Sequence, residues 1–182
     1  MTRAIKFGLA AAAAATLAVS ALAAAKVKSG LEPGTTPGAF QVVDVTGPNK
    51  GKQLCYRCQY GVQPVMAAFI NGDAVKSEAL VADLQKIVDA HKKQGLKSFV
   101  VYMSGPGAKD AILKVAADKK TTIPLVFLPK GTKEGDIAAY KISDGVKNTV
   151  LLWRGQSVKG NFVDVEAKSL GQVEQAVDAM LK

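Results

Sequence analysis

Cys55 and Cys58 are the only cysteines in the 182-residue chain, and they stand three residues apart. Thiols at this Cys-x-x-Cys spacing can form a disulfide with each other, share a metal ion, or exchange electrons with another protein's cysteines. Arg57 lies between them, and a cation beside a thiol favours the reactive thiolate. We therefore take Cys55, Cys58 and Arg57 as candidate catalytic residues, with Tyr56 and Tyr60 as a predicted apolar docking surface for a partner's cysteine.

Metal and haem sites fit this cysteine pair less well than redox chemistry does. Covalent haem attachment requires a histidine directly after the second cysteine, and Gln59 stands there instead. A closed zinc site needs four ligands, whereas the chain adds one histidine, His91, well separated in sequence. We expect no metal and no cofactor. Because Lys92 and Lys93 follow His91, we expect that histidine to cap or flank a helix end.

A structural disulfide is the alternative that the sequence leaves open. In the chain-entropy model, closing a loop of about four residues contributes on the order of 2 kcal/mol, against more than about 4 kcal/mol for a loop of about a hundred. Such a short bridge constrains the whole fold weakly, although it can fix one loop. Two functions therefore stay in view: thiol–disulfide exchange, and a non-catalytic binding module in which Cys55 and Cys58 form a structural bridge.

Residues 1–25 have the pattern of a secretory signal peptide. Arg3 and Lys6 form a basic start, residues 10–22 are apolar, and small residues at 21–25 suit cleavage. We expect export to the periplasm or the extracellular space, and no stable membrane insertion after cleavage. An oxidising compartment would keep the cysteine pair as a disulfide at rest. The expected partners are protein thiols and disulfides of the cell envelope.

The charge of the chain argues against a nucleic-acid partner. The formal net charge is +9, and it falls by two once Arg3 and Lys6 are removed. Arg57 and Arg154 are then the only arginines, and the lysines are spread along the whole chain. Nucleic-acid sites instead favour arginines and stacking aromatic side chains gathered on one face.

The order of apolar segments predicts one α/β domain. Glycines and prolines in residues 26–38 predict an extended lead-in, and residues 39–182 form the predicted domain. The predicted strands are 39–45, 52–55, 64–70, 98–103, 123–128, 149–153 and 157–163, and the predicted helices are 75–94, 108–119 and 169–181. The first two strands form a hairpin, and strands that alternate with helices indicate parallel pairing. Trp153 is expected to pack in the core.

This order of elements resembles the thioredoxin-like fold in its peroxiredoxin-like form. The local matches are residues 40–47, the core strand 65–70, and residues 137–142 before the hairpin of residues 150–162. The resemblance implies a central mixed sheet flanked by helices, with an N-terminal β-hairpin extension. It also implies thiol–disulfide oxidoreductase chemistry, but it is more specific for the fold than for the activity.

The cysteine pair departs from the pattern of that family. In thioredoxins the pair follows the first core strand and opens the first long helix, which favours the thiolate of the leading cysteine. Here the pair precedes the core strand 65–70, and residues 71–77, where the reactive cysteine would lie, contain none. We therefore expect no peroxidase activity. Because Gly61 and Pro64 intervene, we also expect no helix to begin after Cys58.

A second departure concerns proline. Family members commonly place a cis-proline before the first strand of the hairpin, but residues 146–149 contain no proline. Pro124 resembles the family's Ile-Pro signature, yet it lies one strand early in the predicted order. The base rate for bonds that precede proline favours a trans Ile123–Pro124 bond.

Overall fold

The computed structural model describes residues 27–130 and 135–182, and the predicted signal peptide, residues 1–25, lies outside them. Residues 27–38, the predicted lead-in, contain a turn but no helix or strand. Its backbone is held by the domain: the amide of Gly30 donates to the Lys141 carbonyl at 3.0 Å. Among the described residues, no helix has the length and apolar character needed to cross a membrane.

A seven-stranded mixed sheet forms the centre of the described chain. Its strands are β1 Val42–Asp44, β2 Gln53–Leu54, β3 Val65–Ile70, β4 Lys97–Tyr102, β5 Leu125–Phe127, β6 Asn148–Arg154 and β7 Ser157–Val163. Their order across the sheet is β2-β1-β5-β4-β3-β6-β7. The pairs β3–β4 and β4–β5 are parallel, and the other pairs are antiparallel. The predicted mixed sheet and its N-terminal hairpin are therefore confirmed.

Helices connect and close this sheet. The α-helices of the described residues are α1 Tyr56–Tyr60, α2 Glu78–His91, α3 Lys109–Lys119 and α4 Leu170–Leu181. Short 3₁₀ turns at Val75–Ser77 and Lys92–Gln94 extend α2 at both ends, so that together they match the predicted helix 75–94. The helices α3 and α4 match the other two predictions. The short helix α1 was not predicted.

Strand β3 is the centre of the fold because all six of its residues are buried. It pairs with β4 along one edge and with β6 along the other, in register over its whole length. A parallel neighbour requires a crossover connection, which α2 provides between β3 and β4. The unbroken apolar run of this strand thus reflects a position covered on both faces.

The two faces of β3 belong to two different apolar clusters. Met66, Ala68 and Ile70 pack with buried residues of α2, α3 and α4. Val65 and Phe69 face the opposite side, in a cluster that includes residues of β1, α1 and the lead-in. The longer helices therefore cover one face of the sheet, and the lead-in, α1 and the 3₁₀ segment Gly135–Tyr140 pack on the other. This second face carries the cysteine pair.

His91 joins the end of α2 to α4 through both of its ring nitrogens. Nδ1 lies 2.8 Å from the Ile87 carbonyl oxygen, and Nε2 lies 2.8 Å from Asp178 Oδ1. Both partners are acceptors, so only the protonated imidazolium donates to both at once. The Ile87 carbonyl and then the Asp178 carboxylate raise the pKa of His91 above its ordinary value. The prediction that His91 flanks a helix end is confirmed, since it is the last residue of α2.

We predict that His91→Gln destabilises the protein more in acid than in alkali. Because the folded pKa of His91 is raised, its stabilisation is fully present below about pH 6.5 and is lost as the pH rises through the folded pKa. Asp178 is exposed and partly screened, so we expect a loss of roughly 1 kcal/mol near pH 5.5. Urea unfolding near pH 5.5 and pH 8.5 measures the difference, and an equal loss at both pH values would contradict it.

Candidate redox site

Cys55 and Cys58 are joined by a disulfide, with their Cα atoms 5.2 Å apart. The bridge lies between β2 and β3, so the pair precedes the first core strand, as the sequence predicts. Cys58 is exposed and Cys55 is half-buried. The bridge is therefore at the surface.

The short helix α1 begins directly after Cys55 and contains Cys58. Cys55 has extended backbone angles at the N-cap position, and its Sγ accepts a hydrogen bond from the Cys58 amide at 3.1 Å. Gly61, with a φ of 58°, ends the helix. No helix begins between Cys58 and β3, as expected, but the sequence did not predict the helix that begins before Cys58. Gly61 limits the length of the helix but leaves five residues before it, which is enough for one turn.

Tyr56 holds α1 against the sheet from inside the Cys-x-x-Cys sequence. Its side chain is 1% exposed, and its ring stacks on Phe99 with 5.4 Å between centroids. Its hydroxyl donates to Asp44 Oδ2 at 2.7 Å. Burial, and then the hydrogen bond to Asp44, raise the pKa of Tyr56 above its ordinary value, so the hydroxyl stays protonated.

The predicted docking surface of Tyr56 and Tyr60 is therefore wrong. Tyr56 is buried, and Tyr60 is half-buried with its hydroxyl 3.2 Å from the Ser98 carbonyl oxygen. The two rings pack on each other with 5.2 Å between their centroids, and this packing holds α1 against the sheet. Aromatic residues beside a reactive pair are equally suited to packing, and only the tertiary structure separates the two uses.

Asp44 is the residue of the site that sequence reasoning missed. Its buried carboxylate accepts hydrogen bonds from the amides of Gly47 and Asn49, at 2.7 and 2.8 Å, as well as from Tyr56. A Cβ atom at Gly47 would meet Asp44, Pro124 and Tyr56 atoms at 2.7 Å, so only glycine fits. The sequence signal was an aspartate at a strand end, three residues before a glycine in a turn.

Arg57 is held on the lead-in rather than being free in solvent. Its Nε donates to the Pro37 carbonyl oxygen at 2.9 Å, and the residue is half-buried. This contact fixes the guanidinium stem beside α1 and ties the lead-in to the cysteine pair. Its role as an electrostatic helper of the thiols stays a prediction.

The carboxyl end of β3 is where thioredoxins and peroxiredoxins carry their reactive cysteine, and this chain has none there. Residues 71–77 link β3 to α2, and a cavity of about 590 Å³ opens beside them. Residues that line it include Asn71, Asp73, Ser77, Lys147 and Asn148. Within the described ranges, no group of three or more histidine, cysteine, aspartate or glutamate residues is placed to hold a metal ion. The two cysteines of the sequence are both in the displaced pair.

The position of proline also agrees with the predicted departure from the family pattern. Pro124 directly precedes β5, one strand before the hairpin β6–β7. The Ile123–Pro124 bond is trans, as predicted.

The sheet and its connections define the class of this protein. Parallel β3 and β4 joined by α2, antiparallel β6 on the other edge of β3, the hairpin β6–β7 and the closing helix α4 together form the thioredoxin-like fold. The chain is therefore a thioredoxin-like protein by fold, with its Cys-x-x-Cys pair displaced to a position before the first core strand.

Solved structures of similar fold include redox proteins. A candidate thiol:disulfide interchange protein DsbE from Chlorobium tepidum aligns with a TM-score of 0.65 and 20% identity, covering 84% of this chain and 99% of that one. A candidate protein disulfide isomerase from Bacteroides thetaiotaomicron gives a TM-score of 0.67 and 19% identity, covering 85% and 94%. Peroxiredoxin Q from Xanthomonas campestris gives 0.58 and 16%, covering 79% and 92%. Neither a protein-family model nor a curated protein sequence matches the chain. At these identities the structural similarity establishes the fold alone.

We predict that Tyr56→Phe lowers the free energy of unfolding by about 1–3 kcal/mol, because the buried Asp44 carboxylate loses one of its donors while the ring still packs. Tyr60→Phe is the matched control: it removes a longer contact to a backbone carbonyl and should cost less than about 1 kcal/mol. Urea unfolding of both variants measures this. A greater loss in Tyr60→Phe than in Tyr56→Phe would refute the role of the Asp44 hydrogen bond.

Proposed function

We propose that this protein is exported and performs thiol–disulfide exchange in the cell envelope through Cys55 and Cys58. The observation that carries the proposal is a disulfide at the surface of a thioredoxin-like fold, with Cys58 exposed. Exchange requires an incoming thiolate to reach a sulfur of the bridge, and exposure meets that requirement. The expected substrates are protein thiols and disulfides.

The energetics of the bridge support exchange over a purely structural role. A bridge between residues three apart contributes on the order of 2 kcal/mol through chain entropy. The turn that it closes has hydrogen bonds of its own, since the Gln59 amide donates to the Cys55 carbonyl at 3.0 Å and Gly61 to Arg57 at 3.2 Å. Opening the bridge would therefore leave the backbone turn supported. A pair that cycles between thiols and disulfide needs this tolerance.

Export supports the same proposal from the sequence alone. The pattern of residues 1–25 directs the chain to an oxidising compartment, where a close cysteine pair rests as a disulfide until a partner reduces it. In the proposed cycle one cysteine attacks or is attacked, the other resolves the mixed disulfide, and Arg57 favours the thiolate form by its charge.

The second candidate function is a non-catalytic binding module in which the Cys55–Cys58 bridge is structural. The absence of a cysteine in residues 71–77, beside the cavity at the end of β3, favours this alternative. The two functions differ in reduction potential: structural disulfides lie below about −300 mV, and exchange-active pairs lie above that value.

We predict that the purified protein catalyses insulin reduction by dithiothreitol, and that Cys55→Ser and Cys58→Ser each lower this activity to the uncatalysed rate. Each variant lacks one of the two sulfurs that a complete exchange cycle requires. A glutathione redox titration of the wild-type protein accompanies the assay, and we expect a potential above about −300 mV. No activity together with a lower potential would favour the binding module.

We predict that Arg57→Gln slows the reaction of the reduced pair with iodoacetamide about threefold at neutral pH, the size expected for losing one screened charge interaction. Arg154→Gln is the matched control, because Arg154 is the other arginine of the domain and its guanidinium donates instead to the Met180 carbonyl. We expect its rate to equal that of the wild type. Equal slowing in both variants, or none in Arg57→Gln, would remove Arg57 from the proposed site.

A further inference from the structure

The two sulfurs of the bridge lie in different surroundings. Cys58 is exposed on α1, whereas Cys55 is half-buried at the end of β2. A thiolate that attacks a disulfide must approach one sulfur while the other leaves, so the outcome depends on which sulfur is accessible. The greater exposure of the Cys58 residue therefore favours attack at its sulfur.

The hydrogen bonding of the pair favours the same direction. The Cys58 amide donates to Cys55 Sγ at 3.1 Å, so a negative charge on a departing Cys55 sulfur has a donor already in place. The backbone turn that holds this donor is fixed by the hydrogen bond from Gln59 to the Cys55 carbonyl, which does not involve sulfur. A stabilised thiolate leaves faster.

We propose that Cys58 is the sulfur that forms the mixed disulfide and that Cys55 is the leaving and resolving sulfur. This inference rests on the proposed function and adds the order in which the two sulfurs react. It reverses the order of thioredoxins, in which the leading cysteine of the pair is the reactive one. The reversal follows from the displaced position, where the leading cysteine is half-buried directly after β2 and the second one is exposed on α1.

The step balances without a further reactant. A substrate thiolate attacks Cys58 Sγ, forming a bond between the substrate sulfur and Cys58 as the bond between Cys55 and Cys58 breaks. The electron pair of the broken bond stays on Cys55 as a thiolate. A second substrate thiolate then attacks the substrate sulfur and releases Cys58 as a thiolate, so the substrate is oxidised to a disulfide and the protein gains two electrons. The reverse sequence reduces a substrate disulfide, with Cys55 resolving the mixed disulfide on Cys58.

The sequence makes this order directly measurable in the wild-type protein. Trypsin cleaves after Lys52, Arg57 and Lys76, so Cys55 and Cys58 fall in separate peptides, residues 53–57 and 58–76. The oxidised protein is mixed with reduced glutathione, quenched within seconds in acid with N-ethylmaleimide, digested and analysed by mass spectrometry. The peptide that carries glutathione identifies the attacked sulfur, and the peptide that carries maleimide identifies the leaving one.

We expect glutathione on Cys58 and maleimide on Cys55, in at least about tenfold excess over the opposite arrangement, because access and leaving-group stabilisation act together. In about 8 M urea the excess should disappear, since unfolding removes both differences between the sulfurs. Glutathione mainly on Cys55, or equally on both cysteines in the folded protein, would overturn the proposed order.

A bridge that glutathione leaves unmodified would overturn both the proposed order and the proposed function. Glutathione on Cys58 in a protein that does not catalyse insulin reduction would overturn the proposed function and leave the order standing.

Discussion

Strand β3 has no side in contact with solvent, and the rest of the molecule is arranged around that constraint. Its six buried residues pair with β4 and β6 at the edges, while its side chains alternate between two apolar clusters. Both faces must therefore be covered. The longer helices α2, α3 and α4 cover one face, and the lead-in, α1 and the 3₁₀ segment Gly135–Tyr140 pack on the other. The cysteine pair belongs to this second cover.

The short segment that carries the cysteines therefore also contributes a side chain to the core. Tyr56 lies between the two cysteines in sequence, yet its side chain is a core residue that stacks on Phe99 and donates to the buried Asp44 carboxylate. A satisfied buried carboxylate is strongly bound by its donors, and here they come from the hairpin turn and from α1. The anchoring side chain and the exposed cysteine thus lie on one short helix, with Tyr56 buried and Cys58 exposed.

The chain thus has the thioredoxin-like fold, but its cysteines do not lie where thioredoxins carry theirs. The carboxyl end of β3 keeps the loop and a cavity of about 590 Å³ but has no cysteine, while the pair stands before the strand. The sequence alone indicated this displacement, because the order of the pair and the apolar run is visible without coordinates. The sequence did not indicate which of the two cysteines is exposed, because exposure depends on how α1 packs against residues distant in the chain.

The class of fold, the buried core strands, the three longer helices and the position of the cysteine pair were all predicted without coordinates. Local periodicity in short windows of sequence indicates each element, and the order of the elements along the chain indicates the fold. Three features became visible in the folded chain alone: Asp44 anchors Tyr56, His91 contacts Asp178 across 87 positions, and Cys58 rather than Cys55 is exposed. The two hydrogen bonds join residues that are far apart in the sequence, and the exposure of Cys58 depends on which side of α1 packs against the sheet. Buried polar groups require hydrogen-bond partners, but no local sequence pattern specifies which residue the partner is.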